Sequence, residues 1–92
     1  MVNAIVMLNV ESAKINRVAE QLVELDGVSE VYSVAGQYDL VVMIRARDDE
    51  RVAALVTDEL LQVEGLMSSE TLIAFRTFSQ HDLDGMFSVG LD

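Results

Sequence analysis

Val31-Tyr32-Ser33-Val34-Ala35-Gly36-Gln37-Tyr38-Asp39-Leu40-Val41-Val42-Met43-Ile44 is the stretch that decides the fold. It reads as strand, tight turn, strand, with the turn at Gly36 to Asp39. β-Branched and aromatic residues fill both arms. Gly36 supplies the positive φ that a tight turn tends to need. Asp39 is the one carboxylate between two apolar arms. It is either a turn-former or a residue that holds a ligand.

Outward from this hairpin, the pattern alternates strands and helices. Val2, Ala4, Val6, Leu8 and Val10 form one face of a strand, and Asn3, Ile5, Met7 and Asn9 the other. Ser12 is positioned to cap a helix over residues 13–25. Ile15, Val18, Ala19, Leu22, Val23 and Leu25 make its apolar stripe. Gly27 ends it, and a strand over 28–35 leads into the turn. The return strand covers 38–47. Asp48 or Asp49 caps a second helix over 49–63, whose buried face is Val52, Leu55, Val56, Leu60 and Val63. Gly65 ends that helix, and a fourth strand covers 66–78. Leu22-Val-Glu-Leu-Asp-Gly-Val28 and Leu60-Leu-Gln-Val-Glu-Gly-Leu66 form a weak internal repeat. Two β-α-β halves of this kind predict an α+β, ferredoxin-like β-α-β-β-α-β domain. The right-handed crossover rule places both helices on one face of a four-stranded antiparallel sheet. In the tail, Ser79-Gln80-His81-Asp82 followed by Leu83, Met86 and Phe87 predicts a short helix over 79–92. One domain, with its core at 2–78 and this extension, accounts for the chain.

Composition narrows the function. A chain of 92 residues buries only roughly 60–65% of its unfolded surface. Yet 51% of its residues are hydrophobic, more than a small monomer hides easily. Helices cover one sheet face, and neither register leaves the other face polar. Ile5 and Met7 meet Val41 and Met43, or Val42 and Ile44, and then Ile73 and Phe75, or Leu72 and Ala74. Burying four such side chains is worth roughly 6–12 kcal/mol, so the expectation is a homodimer packed sheet to sheet. The net charge is −10, with six Lys and Arg against sixteen Asp and Glu. Direct binding to nucleic acid needs a basic patch, and these cations are scattered along the sequence. No apolar run reaches membrane-spanning length. No signal peptide precedes the first strand, and there is no Cys, so the cytoplasm is the expected compartment.

Candidates for chemistry are few. His81 is the only His, so a His-based zinc set or a catalytic triad has little to build on; no metal or cofactor is expected. Asp48-Asp49-Glu50 and Asp58-Glu59 read as helix-terminal and solvated charges. Arg45 and Arg47 alternate on one strand face. They read as exposed or acid-paired, with a ligand carboxylate as the alternative partner. Tyr38-Asp39 admits two readings. One is turn chemistry, which favours Asp. In the other, amides around Gly36 take a carboxylate while Asp39 accepts from an ammonium, and Thr71 with Ser68 or Ser69 lines the same pocket.

Gly27-Val-Ser-Glu-Val-Tyr-Ser-Val-Ala-Gly-Gln-Tyr-Asp-Leu-Val-Val-Met-Ile-Arg-Ala-Arg-Asp48 resembles the effector-binding RAM domain of the Lrp/AsnC family. That family shows Gly-Val near the second strand and Gly-x-Tyr-Asp between strands two and three. A helix, a further Gly-aliphatic and a strand like Thr71-Leu-Ile-Ala-Phe75 follow. The resemblance spans about residues 2–78. It implies a ferredoxin-like domain that dimerises through its sheets into an α-β barrel and assembles further into rings, frequently octamers. It implies a small effector, commonly an amino acid, bound between dimers near Gly36, Gln37, Tyr38 and Asp39. Ser69, Thr71 and Leu72 are the fourth-strand candidates. The family's helix-turn-helix has no counterpart here, so the chain resembles a stand-alone effector domain that does not bind DNA itself.

The expectation is a non-catalytic sensing and oligomerising module, able to co-assemble with full-length Lrp/AsnC regulators. Two alternatives remain. Dimeric α-β barrels of this topology include monooxygenases and isomerases, which need a roomy cavity between sheet and helices. A ligand-free assembly partner is the other.

Overall fold

The computed structural model describes residues 1–80. The strands are β1 (Val2–Val10), β2 (Val28–Ser33), β3 (Leu40–Ala46) and β4 (Leu66–Ile73). The helices are α1 (Ile15–Val23) and α2 (Asp49–Ala54), the latter continuing through a π turn at Leu55–Glu59 and a 3-10 turn at Leu60–Gln62. The sheet order is β2-β3-β1-β4, with every neighbouring pair antiparallel. This is the ferredoxin-like β-α-β-β-α-β arrangement expected from the sequence.

Strand parity fixes which side chains meet the helices. Ala4, Val6, Leu8 and Val10 of β1 are buried, as are Leu40, Val42, Ile44 and Ala46 of β3. Val18 and Leu22 of α1, and Val52, Leu55, Val56 and Leu60 of the second helical segment, close the core from above. Of the two registers open for the third strand, Val42 and Ile44 therefore face the helices. Ile5, Met7, Val41 and Met43 line the uncovered face, each only half-buried. The β1–β4 pairing brings Leu72 beside Ile5 on that same face, where it is exposed.

The helix starts and ends follow local chemistry. Asp48 is extended, and its Oδ1 accepts from the Arg51 amide at 2.8 Å, which caps α2. Asp49 and Glu50 then sit in the first turn, where the helix dipole favours acid. The Thr57 hydroxyl donates back to the Ala53 carbonyl at 2.7 Å, a bond that loosens helices. The π turn follows at that point. Leu55 at its start and Leu60 just after its end are both fully buried.

Several boundaries differ from expectation. Ser12 makes no side-chain cap; a 3-10 turn at Ser12–Lys14 leads into α1 instead. Val23 is exposed, because it lies about 100° round the helix from Leu22, which fills the core. β2 stops at Ser33 and β3 starts at Leu40, so the connection is longer than a tight turn. β4 ends at Ile73, although the Ala74 amide still donates to the Asn3 carbonyl at 2.9 Å. From His81 onward, the expected tail helix lies outside the described residues.

Candidate functional site

The connection between β2 and β3 is built around Asp39. The Val34 amide donates to the Asp39 carbonyl at 3.0 Å, which closes a loop over Ala35, Gly36, Gln37 and Tyr38. The Asp39 amide donates to the Leu8 carbonyl at 2.9 Å, extending the β1–β3 ladder. The Asp39 side chain then does what a further backbone carbonyl would do. Its Oδ2 accepts from the Val10 amide at 2.8 Å. Val10 is buried, and here β1 shifts register against β4. The carboxylate therefore satisfies an amide at an irregularity of the sheet.

Gly36 lies in this loop at φ +133. A Cβ there would meet nothing within 4 Å, so the glycine is required by backbone conformation and leaves its main chain open to solvent. Gln37 beside it is exposed. Tyr38 reaches across β1 and donates its hydroxyl to Glu70 on β4. The accepting carboxylate pushes the Tyr38 phenol above its ordinary pKa. One row along the uncovered face, the Asn9 side-chain Nδ2 donates to the Ser68 hydroxyl at 2.9 Å. The hairpin end is thus tied to the edge strand by Tyr38, and β1 to the same strand by Asn9.

The fourth-strand candidates divide between the two faces. Ser69 pairs with Leu8 and Thr71 with Val6, on the helix side, whereas Leu72 pairs with Ile5 on the open side. Thr71 and Ile73 line a groove of about 410 Å³ against Val52 and Val56 of the second helical segment. Gly36, Gln37, Tyr38 and Asp39 stay together at the hairpin end, and only Leu72 of the three shares the face that Tyr38 crosses. Glu70 and Asn9 are additions that the sequence did not single out. Their signal was parity: both lie on the same face as Met7 once β1 and β4 are aligned, but that alignment is a three-dimensional fact.

Two further hollows exist among the described residues. One of about 510 Å³ lies on the open face beside Ile5, Met43 and Phe78. The other, of about 500 Å³, lies at the far end of β3 beside Arg45, Arg47 and Arg51. Between sheet and helices the space is filled by fully buried Val6, Leu8, Val18, Leu22, Leu40, Val42, Leu55 and Leu60. No group of three or more metal-ligating side chains occurs among the described residues, and no helix there is long and apolar enough to cross a membrane.

The chain matches the Lrp/AsnC ligand binding domain over residues 3–83. It is 36% identical over 64 residues to an uncharacterized HTH-type transcriptional regulator, PYRAB16920, of Pyrococcus abyssi, a match covering 70% of this chain and 43% of that one. A stretch of 77 residues is 30% identical to the HTH-type transcriptional regulator FL11 of the same organism, over 84% of this chain and 50% of that one. The chain therefore spans about half the length of these relatives. Among solved structures it is similar to TTHA0845 from Thermus thermophilus, with a TM-score of 0.81 and 39% identity, over 87% of this chain and 100% of that one. Escherichia coli AsnC has the same fold, with a TM-score of 0.78 at 21% identity, over 86% of this chain and 54% of that one.

Proposed function

The chain belongs to the Lrp/AsnC ligand-binding domain family, and from that premise we propose that it is a sensing and oligomerising module without catalytic activity. It binds a small effector, an amino acid, between dimers at the Gly36–Asp39 loop. It does not bind DNA itself. Two copies pack through their uncovered sheet faces into an α-β barrel, and the dimers close into a ring such as an octamer or join full-length Lrp/AsnC regulators.

The observation that carries the reading is the loop at the hairpin end. It presents unhindered backbone at Gly36, and it is held from beneath by the Asp39–Val10 bond. A rigidly held loop with accessible amides suits a carboxylate, and the adjoining carboxylate suits an ammonium. The loop is exposed on one chain, as a site completed by a second dimer requires. An amino acid as ligand is supported by the Neisseria meningitidis transcriptional regulator NMB0573, solved as a complex with L-Met, which shares the fold at 17% identity and a TM-score of 0.75. The packed space between sheet and helices argues against the barrel enzymes, which need a substrate cavity there.

The test is a thermal-shift screen of the twenty amino acids, followed by calorimetry. A ligand at a hundredfold its Kd adds about 2.7 kcal/mol. The expected result is a saturable shift for one amino acid or a few related ones. If none shifts the protein, sensing fails and a ligand-free assembly role takes its place.

A further inference from the structure

The hollow at the far end of β3 gathers half of the chain's cations. It lies between the α1–β2 connection at Asp26 and Gly27, the end of β3 at Arg45 to Arg47, and Arg51 in α2. Only six Lys and Arg occur in a chain with sixteen Asp and Glu. Three of them line this one opening of about 500 Å³, against the single carboxylate of Asp26. That volume falls within the range of small-molecule sites.

The three guanidinium groups are held differently. Arg51 is fixed: Nη1 is 3.1 Å from Glu59 Oε2, and Nη2 donates to the Asp26 carbonyl at 2.9 Å. Its position is set by the fold, and Glu59 balances its charge. Arg45 donates through Nε to the neutral Asn3 Oδ1 at 3.2 Å. Among the described residues no carboxylate lies within 4.0 Å of it. Arg47 has one contact, Nε to Asp48 Oδ2 at 3.7 Å, between two well-exposed side chains. Such a pair is worth little, and the other Asp48 oxygen already caps α2. Arg45 sits beside its strand partner Asn3 and borders the open-face hollow as well as this one, and among the described residues neither Arg45 nor Arg47 has a close carboxylate that neutralises it. Guanidinium forks match the oxygens of phosphate and carboxylate groups two at a time.

We propose that this hollow is a binding site for a small polyanion carrying phosphate or carboxylate groups, taken by Arg45 and Arg47 beside the fixed Arg51. It is separate from the Gly36–Asp39 loop. Asp39 and Arg45 are six residues apart along an extended strand, about 20 Å. The net charge of −10 repels small polyanions from the surface at large, so a local group of guanidiniums is where one is retained.

Calorimetry and thermal shift on the full chain at low ionic strength test the proposal, with inorganic pyrophosphate and citrate as probes. Both anions also stabilise proteins non-specifically, so Arg45→Gln/Arg47→Gln supplies the baseline; Arg51 is left intact. The expected result is a saturable shift that falls at least tenfold in affinity in the double variant, with far-UV circular dichroism unchanged. Asp39→Asn retains the full response. A response to pyrophosphate alone assigns phosphate chemistry, and a response to citrate alone assigns carboxylate chemistry. Equal shifts in parent and double variant, or no shift with either probe, overturn the proposal. So does a tenfold gain in affinity in Asp39→Asn, which removes a repelling charge and so places the anion at the loop instead.

Discussion

Replacing Asp39 by Ala and by Asn separates the two things that side chain can do. In the Ala variant the Val10 amide loses its acceptor. Val10 is 3% exposed, so water does not readily take over. A hydrogen bond to a charged group contributes about 1.5–3 kcal/mol, and an orphaned buried amide costs a similar amount. Asp39 is only half-buried, so a loss of about 2 kcal/mol is the working figure. For a domain of this size each kcal/mol moves Tm by about 4–8 °C, which gives a fall of about 8–16 °C. Asp39→Asn keeps an oxygen where Oδ2 stands and loses the charge, so its fall is less than half as large. Scanning calorimetry at fixed protomer concentration reads both, since the melting of an oligomer depends on concentration. An Ala variant within about 2 °C of the parent would refute the claim that this bond holds the loop. The Asn variant then tests the site. With the loop intact, a tenfold loss of amino-acid affinity assigns the Asp39 charge to the ligand's ammonium. Undiminished affinity makes Asp39 scaffold alone.

Three more outcomes follow from named contacts. Met43→Glu puts a charge at the centre of the uncovered face, beside its β1 neighbour Ile5; light scattering should show monomer where the parent is a dimer or larger, and an unchanged mass would refute sheet-to-sheet packing. Gly27→Ala and Gly36→Ala both force an L side chain to positive φ, at about 1–3 kcal/mol. Gly27→Ala also sets a Cβ 2.9 Å from Cδ2 of the buried Leu55, so chemical denaturation should find it the less stable of the two by about 1–3 kcal/mol. The chain's two tyrosines are each bonded to a carboxylate, Tyr32 to Glu30 and Tyr38 to Glu70, and each phenol is raised by that bond. Neutral phenol is the favoured folded form, so this contribution is present below the unfolded value near 10 and is lost as pH rises through the folded one. Ultraviolet titration of Glu70→Gln should move one of the two tyrosines back toward 10 and leave the other.

What the sequence made readable was whatever depends on period and local caps. The alternation of Ala4, Val6, Leu8 and Val10 identified the buried side of β1, and the spacing of Val52, Leu55, Val56 and Leu60 identified the buried side of the second helical segment. Asp48 was readable as a cap because its partner, the Arg51 amide, is three residues away. Reading failed where partners are far apart in the chain. Val41-Val42-Met43-Ile44 is apolar throughout, so no alternation reveals its parity; pairing with β1 settles it. The same alignment puts Tyr38 with Glu70 and Asn9 with Ser68, pairs 32 and 59 residues apart. Arg51 carried no signal of its role in the sequence, yet it anchors the α1–β2 connection 25 residues earlier.

Asp39 shows why the two readings of a single residue need not compete. Turn chemistry and ligand binding were alternatives as long as the carboxylate was pictured with one partner. A carboxylate has two oxygens and room for several donors. With Oδ2 on the Val10 amide, the group is fixed in place before any ligand arrives. A fixed acceptor costs less ordering on binding than a mobile one. The bond that makes Asp39 structural is therefore the same bond that would make it an effective partner for an ammonium. For that reason stability alone cannot distinguish the readings. The Asn variant can, because it preserves the bond to Val10 and changes only the charge.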